Sequence, residues 1–436
     1  MTRLLWQKTS PALDEAVQRY LAADDVALDR HLFPHDIEAT IAHVRGLVSI
    51  EALPADDGDA LIDALNDLAG RFERGEFILD DRFEDGHTAI EAFLTDRLGE
   101  IGRKVHLGRS RNDQVLVAQR LYVKTALAGI RAHTIAAARQ TLDLAEADRD
   151  TLMPGYTHLQ RAVPSTIGLW MASFAEAFID DAALLDMTTR WLDASPLGTA
   201  AGYGVNLPLP REQTAAALGF ERLLINPMYA QATRGTFEVQ ALSACWQVMQ
   251  EVRRLAWDLS MFSTTEFGFV RMADAVSTGS SIMPNKRNPD LVELMRAGAA
   301  VVAGCMTELQ QLLALPSGYH RDLQLTKAPI VRALTHTART VELVPLLLDS
   351  IEFDREVMKR AIDPTMLATD RAVDLAVTGL PFRDAYRQVA EELASGTLPS
   401  ANTLEQSVAS RTSPGACADL RLDGMRARLD ALADGP

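Results

Sequence analysis

Apolar residues recur every three or four positions through five long stretches of the chain, and each run predicts a helix with one buried face. The first, Val115 to Asp150, contains no proline and one glycine, Gly129; unbroken, at about 1.5 Å per residue, it would reach roughly 54 Å. The second follows Pro164, a residue suited to a helix's first turn, and runs to about Asp193. In the third, from near Thr236, Leu242, Cys245, Met249, Val252, Ala256 and Leu259 form a seam. A fourth opens at Pro289 and repeats the stripe through Leu294, Ala297, Val301, Cys305, Leu309 and Leu312. The fifth runs from about Ala328 to Ile351, with a bend expected at Pro345. Little β-branched alternation separates these runs. The pattern predicts an all-α protein built on long packed helices.

Glycine, proline and polar residues concentrate between the helices, at 102–112, 153–164, 195–210, 267–289 and 315–326. Loops held at the ends of rigid helices are where chemistry usually sits. No repeat, low-complexity tract or flexible linker interrupts the chain. The expected organisation is a helical N-terminal domain over 1–110, a central helical-bundle domain over 111–355 and a C-terminal helical domain over 356–436.

Composition narrows the function classes. A hydrophobic fraction of 47% over 436 residues excludes a disordered chain and supplies a large core. With 43 Lys+Arg against 59 Asp+Glu, the net charge of −16 argues against a nucleic-acid partner. No stretch reads as a membrane span, and the start Met1-Thr-Arg-Leu-Leu-Trp6 lacks the apolar core of a signal peptide, so no membrane partner and a cytoplasmic location are expected. Cys245, Cys305 and Cys417 are odd in number and far apart, which implies neither a disulfide framework nor a zinc site. No metal and no cofactor is expected.

The most informative stretch is Thr278-Gly-Ser-Ser-Ile-Met-Pro-Asn-Lys-Arg-Asn-Pro-Asp290. Gly279 would allow unusual backbone angles before two hydroxyls, Pro284 and Pro289 stiffen the path, and Lys286 and Asn288 offer donors. Such a loop suits an anion, particularly a carboxylate that gains charge during a reaction. A phosphate cradle is a poorer fit, because the P-loop spacing is absent. A plain Ser/Gly/Pro loop leading into a helix accounts for the same residue types, with the first serine as a turn hydroxyl.

That segment resembles the signature loop of the fumarase/aspartase superfamily, whose members eliminate a group from a succinyl moiety and release fumarate. Within the superfamily, Gly108-Arg-Ser-Arg-Asn-Asp-Gln114, Gly155-Tyr-Thr-His-Leu-Gln-Arg-Ala-Val-Pro164 and Pro316-Ser-Gly-Tyr-His-Arg-Asp-Leu-Gln324 resemble the argininosuccinate lyases. Glu84-Asp-Gly-His-Thr-Ala-Ile-Glu91 and Pro381-Phe-Arg-Asp-Ala-Tyr386 add weaker matches in the family's order. The resemblance implies a fumarase/aspartase-like fold, a central five-helix bundle flanked by two small helical domains. It also implies a homotetramer whose active sites combine loops of three chains.

The implied reaction breaks the Cα–N bond of argininosuccinate, giving arginine and fumarate. By resemblance Ser280 is the base, Lys286 helps hold the dianionic carboxylate, and His158 donates a proton at the leaving nitrogen or stabilises it. Glu293 is the carboxylate that orients His158; a first-turn glutamate favoured by the helix dipole is compatible with that role. Arg111, Asn112, Thr157, Asn288 and Gln324 are implied substrate contacts, with Tyr319 and Lys327 toward the arginine half. Arg103, Lys104, Arg109 and Arg111 form a basic cluster able to focus an anion, although solvated charge is the simpler account of the first two. His87 and Asp85 fall in a matching motif without an assignable role.

Four departures from the family pattern stand out. The start reads Leu5-Trp6-Gln7-Lys8-Thr9 rather than Trp-Gly-Gly-Arg-Phe, Asp25 replaces a substrate-contacting serine, Leu107 replaces a threonine, and Thr233-Arg234-Gly235 lacks flanking acids. They leave the elimination residues intact and bear on substrate and subunit contacts. Adenylosuccinate lyase or fumarase is the nearest enzymatic competitor, and a non-catalytic lens-crystallin relative is the alternative of another class. The loops around Asn112 and Tyr319 argue against the first, and retained Ser280, His158, Lys286 and Glu293 argue against the second.

Overall fold

The structure is a computed structural model that describes residues 17, 20–21, 24–399 and 403–435. The unusual Leu5–Thr9 start lies outside the described residues. The protein is 67% helical, with only short two-stranded sheets among the described residues. All five helices expected from the apolar periodicity are present. The chain forms two compact units: residues 1–130, 184–246 and 300–338 make the first, and 131–183, 247–299 and 339–436 the second.

In the first unit, helices α1 (Asp25–Ser49), α2 (Ala55–Glu73) and α3 (Gly86–Leu98) close around Phe33, Ile37, Val44, Leu61, Leu65 and Leu94. Burying a side chain of this size contributes about 1.5–3 kcal/mol. Asp85 caps α3 by accepting the Thr88 N–H at 2.7 Å, so the cap signal fixes where that helix begins.

The five long helices are α4 (Arg111–Ala147), α5 (Ile167–Leu192), α6 (Thr236–Phe262), α7 (Asp290–Leu312) and α8 (Lys327–Asp349), and each unit holds a section of every one. The α6 seam from Leu242 to Leu259 is buried as expected. Helix α8 runs through Pro345 to Asp349 without a break.

In the second unit, strands β1 (Leu152–Thr157) and β2 (Gln160–Thr166) form an antiparallel hairpin with a register shift between Pro154 and Tyr156. Three sequence expectations fail in this unit. Pro164 does not open α5; it pairs with Pro154 across the hairpin, where a two-stranded ladder tolerates residues that cannot donate. The helix instead starts after Thr166, whose hydroxyl accepts the Leu169 N–H at 3.1 Å. On α7 the buried stripe is Val292, Met295, Ala299 and Val302, while Leu294 is 72% exposed and Ala297 is also exposed. That helix carries two apolar faces, and periodicity picked the outer one at its start. Gly279 is not at positive φ, and a Cβ there would meet only the Arg287 side chain at 3.8 Å, so the backbone imposes no glycine requirement.

Candidate active site

Five of the eleven sequence-selected residues line one cavity of about 180 Å³ in the first unit: Arg111, Asn112, Tyr319, Gln324 and Lys327. Helix starts place three of them. Arg111 and Asn112 open α4, where Asp113 accepts the Ser110, Gly198 and Ala200 N–H groups, and Lys327 is the first residue of α8. Lys327 is 2% exposed, with its ammonium 2.6 Å from Asp29 and 3.2 Å from Asp25. Burial pushes that ammonium's pKa down, but the two carboxylates outweigh it and hold the pKa above the usual value. Asp29 also accepts the Gly86 N–H at 2.9 Å.

Arg111 places one nitrogen 3.2 Å from both Glu84 and Asp85, and donates to the Thr88 hydroxyl at 2.8 Å. Burial raises the Asp85 pKa, but His87, Arg111 and the Thr88 N–H lower it further, so the group stays ionised below the usual carboxylate range. His87 lies 2.5 Å from Asp36; burial lowers its pKa, and Asp36, Asp85 and Asp29 raise it by more. Gln324 donates to the Leu21 carbonyl at 2.8 Å and accepts from Arg321 at 3.0 Å. The expected basic cluster disperses. Arg109 is buried on Thr40 and the Val105 carbonyl, Lys104 pairs with Asp57 at 2.5 Å, and Arg111 is the member that lines the cavity.

Sequence reasoning missed the acids. Asp29 was not singled out, and Asp25 and Asp85 were noted without a role. Lys327, the partner of Asp25 and Asp29, lies some 300 positions from them, so no local spacing reveals the pairing.

The other six residues lie in the second unit. Strands β4 (Thr278–Gly279) and β5 (Arg287–Asn288) pair and close the signature loop; β3 (Val270–Met272) precedes them and pairs with β6 (Ile351–Phe353). The loop hydroxyl of Thr278 bonds Asp290. The Ser280 oxygen accepts the Met283 N–H at 3.0 Å and the Ile282 N–H at 3.3 Å. Lys286 is exposed and Asn288 half-buried.

Thr157 and His158 sit at the tip of the β1–β2 hairpin, and the preceding Tyr156 packs against Phe262, Phe267 and Phe269. His158 and Leu159 have φ of 53° and 57°, the left-handed pair that a two-residue turn between matched strands requires. Each costs about 1–2 kcal/mol without glycine, so the hairpin holds an exposed imidazole in a strained but defined place. Glu293 is exposed on the first turn of α7 and faces Arg296 at 3.4 Å. Among the described residues it makes no contact with His158.

A family profile described as a lyase matches residues 14–304. Two solved structures share the fold: an EDDS lyase in complex with formate (22% identity, TM-score 0.79, 97% of this chain and 92% of that one) and the class II fumarase of Schistosoma mansoni (15%, 0.70, 86% and 91%). The argininosuccinate lyase of Stenotrophomonas maltophilia strain K279a is 53% identical over 99% of this chain and all of that protein. That of Xanthomonas campestris pv. campestris strain B100 is 52% identical with the same coverage. The chain belongs to the argininosuccinate lyase family.

Proposed function

We propose that this chain cleaves argininosuccinate to arginine and fumarate by β-elimination, as an enzyme of arginine biosynthesis. The observation that carries the reading is full-length identity above one half to proteins of that name, with every elimination residue in place. Ser280 removes the proton from the carbon beside the succinyl carboxylate. A serine oxygen is a weak base unless its anion is stabilised, and the two N–H groups it accepts supply that stabilisation. The electron pair moves onto the carboxylate, where Lys286, Asn288 and loop N–H groups hold the dianion. It then forms the C=C bond as the Cα–N bond breaks, and His158, oriented by Glu293, delivers the proton to the leaving guanidino nitrogen.

Thr157 and Asn288 hold the succinyl half, and Arg111, Asn112, Tyr319, Gln324 and Lys327 the remainder. No helix among the described residues is long and apolar enough to cross a membrane, in keeping with a cytoplasmic enzyme. A homotetramer with sites shared between chains is supported by outward apolar side chains on four of the long helices: Met187 and Trp191, Trp257, Leu294 and Leu346. The exposure of Ser280's loop and of His158, and the separation of Glu293 from His158, support completion of the site by other copies.

Fumarate absorbance with argininosuccinate, adenylosuccinate and malate side by side tests the substrate; activity on either of the others in preference would overturn it. Mixing Ser280→Ala with His158→Asn chains under subunit exchange should restore activity. Sedimentation should show a particle near four times 47.7 kDa. A stable, fully active monomer would defeat the shared site.

A further inference from the structure

Apart from the cavity that gathers the sequence-selected residues, the first unit holds a much smaller one, of about 10 Å³. Thr88, Glu91, His106, Arg109, Arg111 and Gln114 are among the residues that wall it. A space of that size takes about one water molecule and nothing larger. Two of the wall residues carry buried polar atoms without a partner. Arg109 is 8% exposed, and its terminal nitrogens donate to the Thr40 hydroxyl at 2.9 Å and the Val105 carbonyl at 3.1 Å. Its Nε–H finds no acceptor among the described residues. Gln114, 4% exposed on the first turn of α4, has a side-chain Oε1 that no donor reaches among the described residues. A buried donor and a buried acceptor are each costly when left unmade.

The two needs are complementary, and chemistry decides what can meet both. A cation is repelled by the Arg109 guanidinium and cannot accept from it. Chloride would accept from the Nε–H but is larger than water and has nothing to donate to Oε1. His106 offers no charge, because burial, then Arg109, His87 and Arg111, push its pKa down to about 4. Burial raises the pKa of Glu91 against the pull of Arg111 and Arg109, and its carboxyl accepts a hydrogen bond in either protonation state. A water molecule accepts from one wall and donates to the other.

We propose that this small cavity is a binding site for one ordered water, which accepts from the Arg109 Nε–H, donates one hydrogen to Gln114 Oε1 and turns the other toward Glu91. The site does not depend on the reaction proposed above. It gives Arg109 a part other than attracting an anion, because its guanidinium is then fully occupied by neighbours inside the unit. Arg111 lines both cavities, so the water stands behind a residue of the larger one.

A high-resolution crystal structure of the parent protein should show a single density peak within about 3 Å of both Arg109 Nε and Gln114 Oε1. Gln114→Met is close in shape but lacks the oxygen. It should lose the peak and, with Arg109 left without its acceptor, melt roughly 2–4 °C lower. Gln114→Glu keeps an accepting oxygen at the same place and should keep the peak. If Gln114→Met fails to fold, the parent and Gln114→Glu still decide. An empty cavity, an Arg109 Nε–H bonded directly to a protein oxygen, or a peak that survives in Gln114→Met would overturn the proposal. So would an anomalous signal at the peak after a bromide soak, which would mark an anion in its place.

Discussion

The two halves of the proposed machinery are built on opposite principles. In the first unit the cavity charges are buried and mostly paired: Lys327 between Asp25 and Asp29, Arg111 between Glu84 and Asp85. In the second unit the working groups stand on short turns near solvent: Ser280 and Lys286 on a loop closed by four strand residues, His158 on a strained hairpin tip. Buried pairs hold position without help, because removing either partner strands the other. Exposed turns hold only the backbone and leave the side chains ready for groups that arrive later. On the proposed reading, the recognition groups are fixed within the first unit, whereas the groups proposed for the chemistry stand on exposed turns.

Replacing Ser280 by Ala gives the largest expected effect on this contrast. Turnover should fall at least about 10⁴-fold while the denaturation midpoint barely moves, because only two turn hydrogen bonds are lost. Retained activity would shift the base to Ser281 or elsewhere. Next in size is Lys327→Met, which leaves two carboxylates facing each other in a buried place. It should destabilise the fold by about 3–5 kcal/mol in urea titration, whereas Lys286→Met, at an exposed site, should cost less than about 0.5 kcal/mol. Equal stability losses at the two lysines would erase the distinction.

Asp181 is the second unit's counterexample, a buried carboxylate whose Oδ2 has no hydrogen-bond partner among the described residues. Burial, then Glu251 and Asp180, push its pKa up to about 7 against the pull of Arg254. A raised carboxyl pKa favours the folded state fully below the unfolded value of 3.8, and that contribution is lost as pH rises through about 7. Asp181→Asn should therefore stabilise by on the order of a few kcal/mol at pH 8, with the gain shrinking as pH falls toward 4. A pH-independent gain would mean that Asp181 is already neutral or well solvated. Smallest is Leu159→Gly, which relieves one left-handed residue at the hairpin tip. Thermal melting should show a gain of about 1 kcal/mol. A loss would show that the Leu159 side chain, not the turn, holds the tip.

Long helices were legible because eleven or more residues of periodic pattern outvote local accidents, as the buried α6 seam shows. Where two apolar faces share a helix, as at Leu294 and Val292, periodicity has no way to rank them. The β1–β2 hairpin was hidden by its prolines and short strands, although Thr166 offered a helix cap that would have corrected the start of α5. Site residues were found through motif resemblance, each motif lying within one loop. The acids around Lys327 were not, since ion pairing between helices some 300 positions apart leaves no local trace.

That distance has a consequence for synthesis. Asp29 and Lys327 are 298 positions apart, so at about 5–20 residues per second the carboxylate emerges about 15–60 s before its ammonium exists. Until then Asp25 and Asp29 must keep their water. The same helix carries Phe33 and Ile37 into the first unit's core. Every buried member of that core, from Phe33 to Val105, is made long before Lys327, so the two carboxylates are the part of this helix that waits longest for its partner.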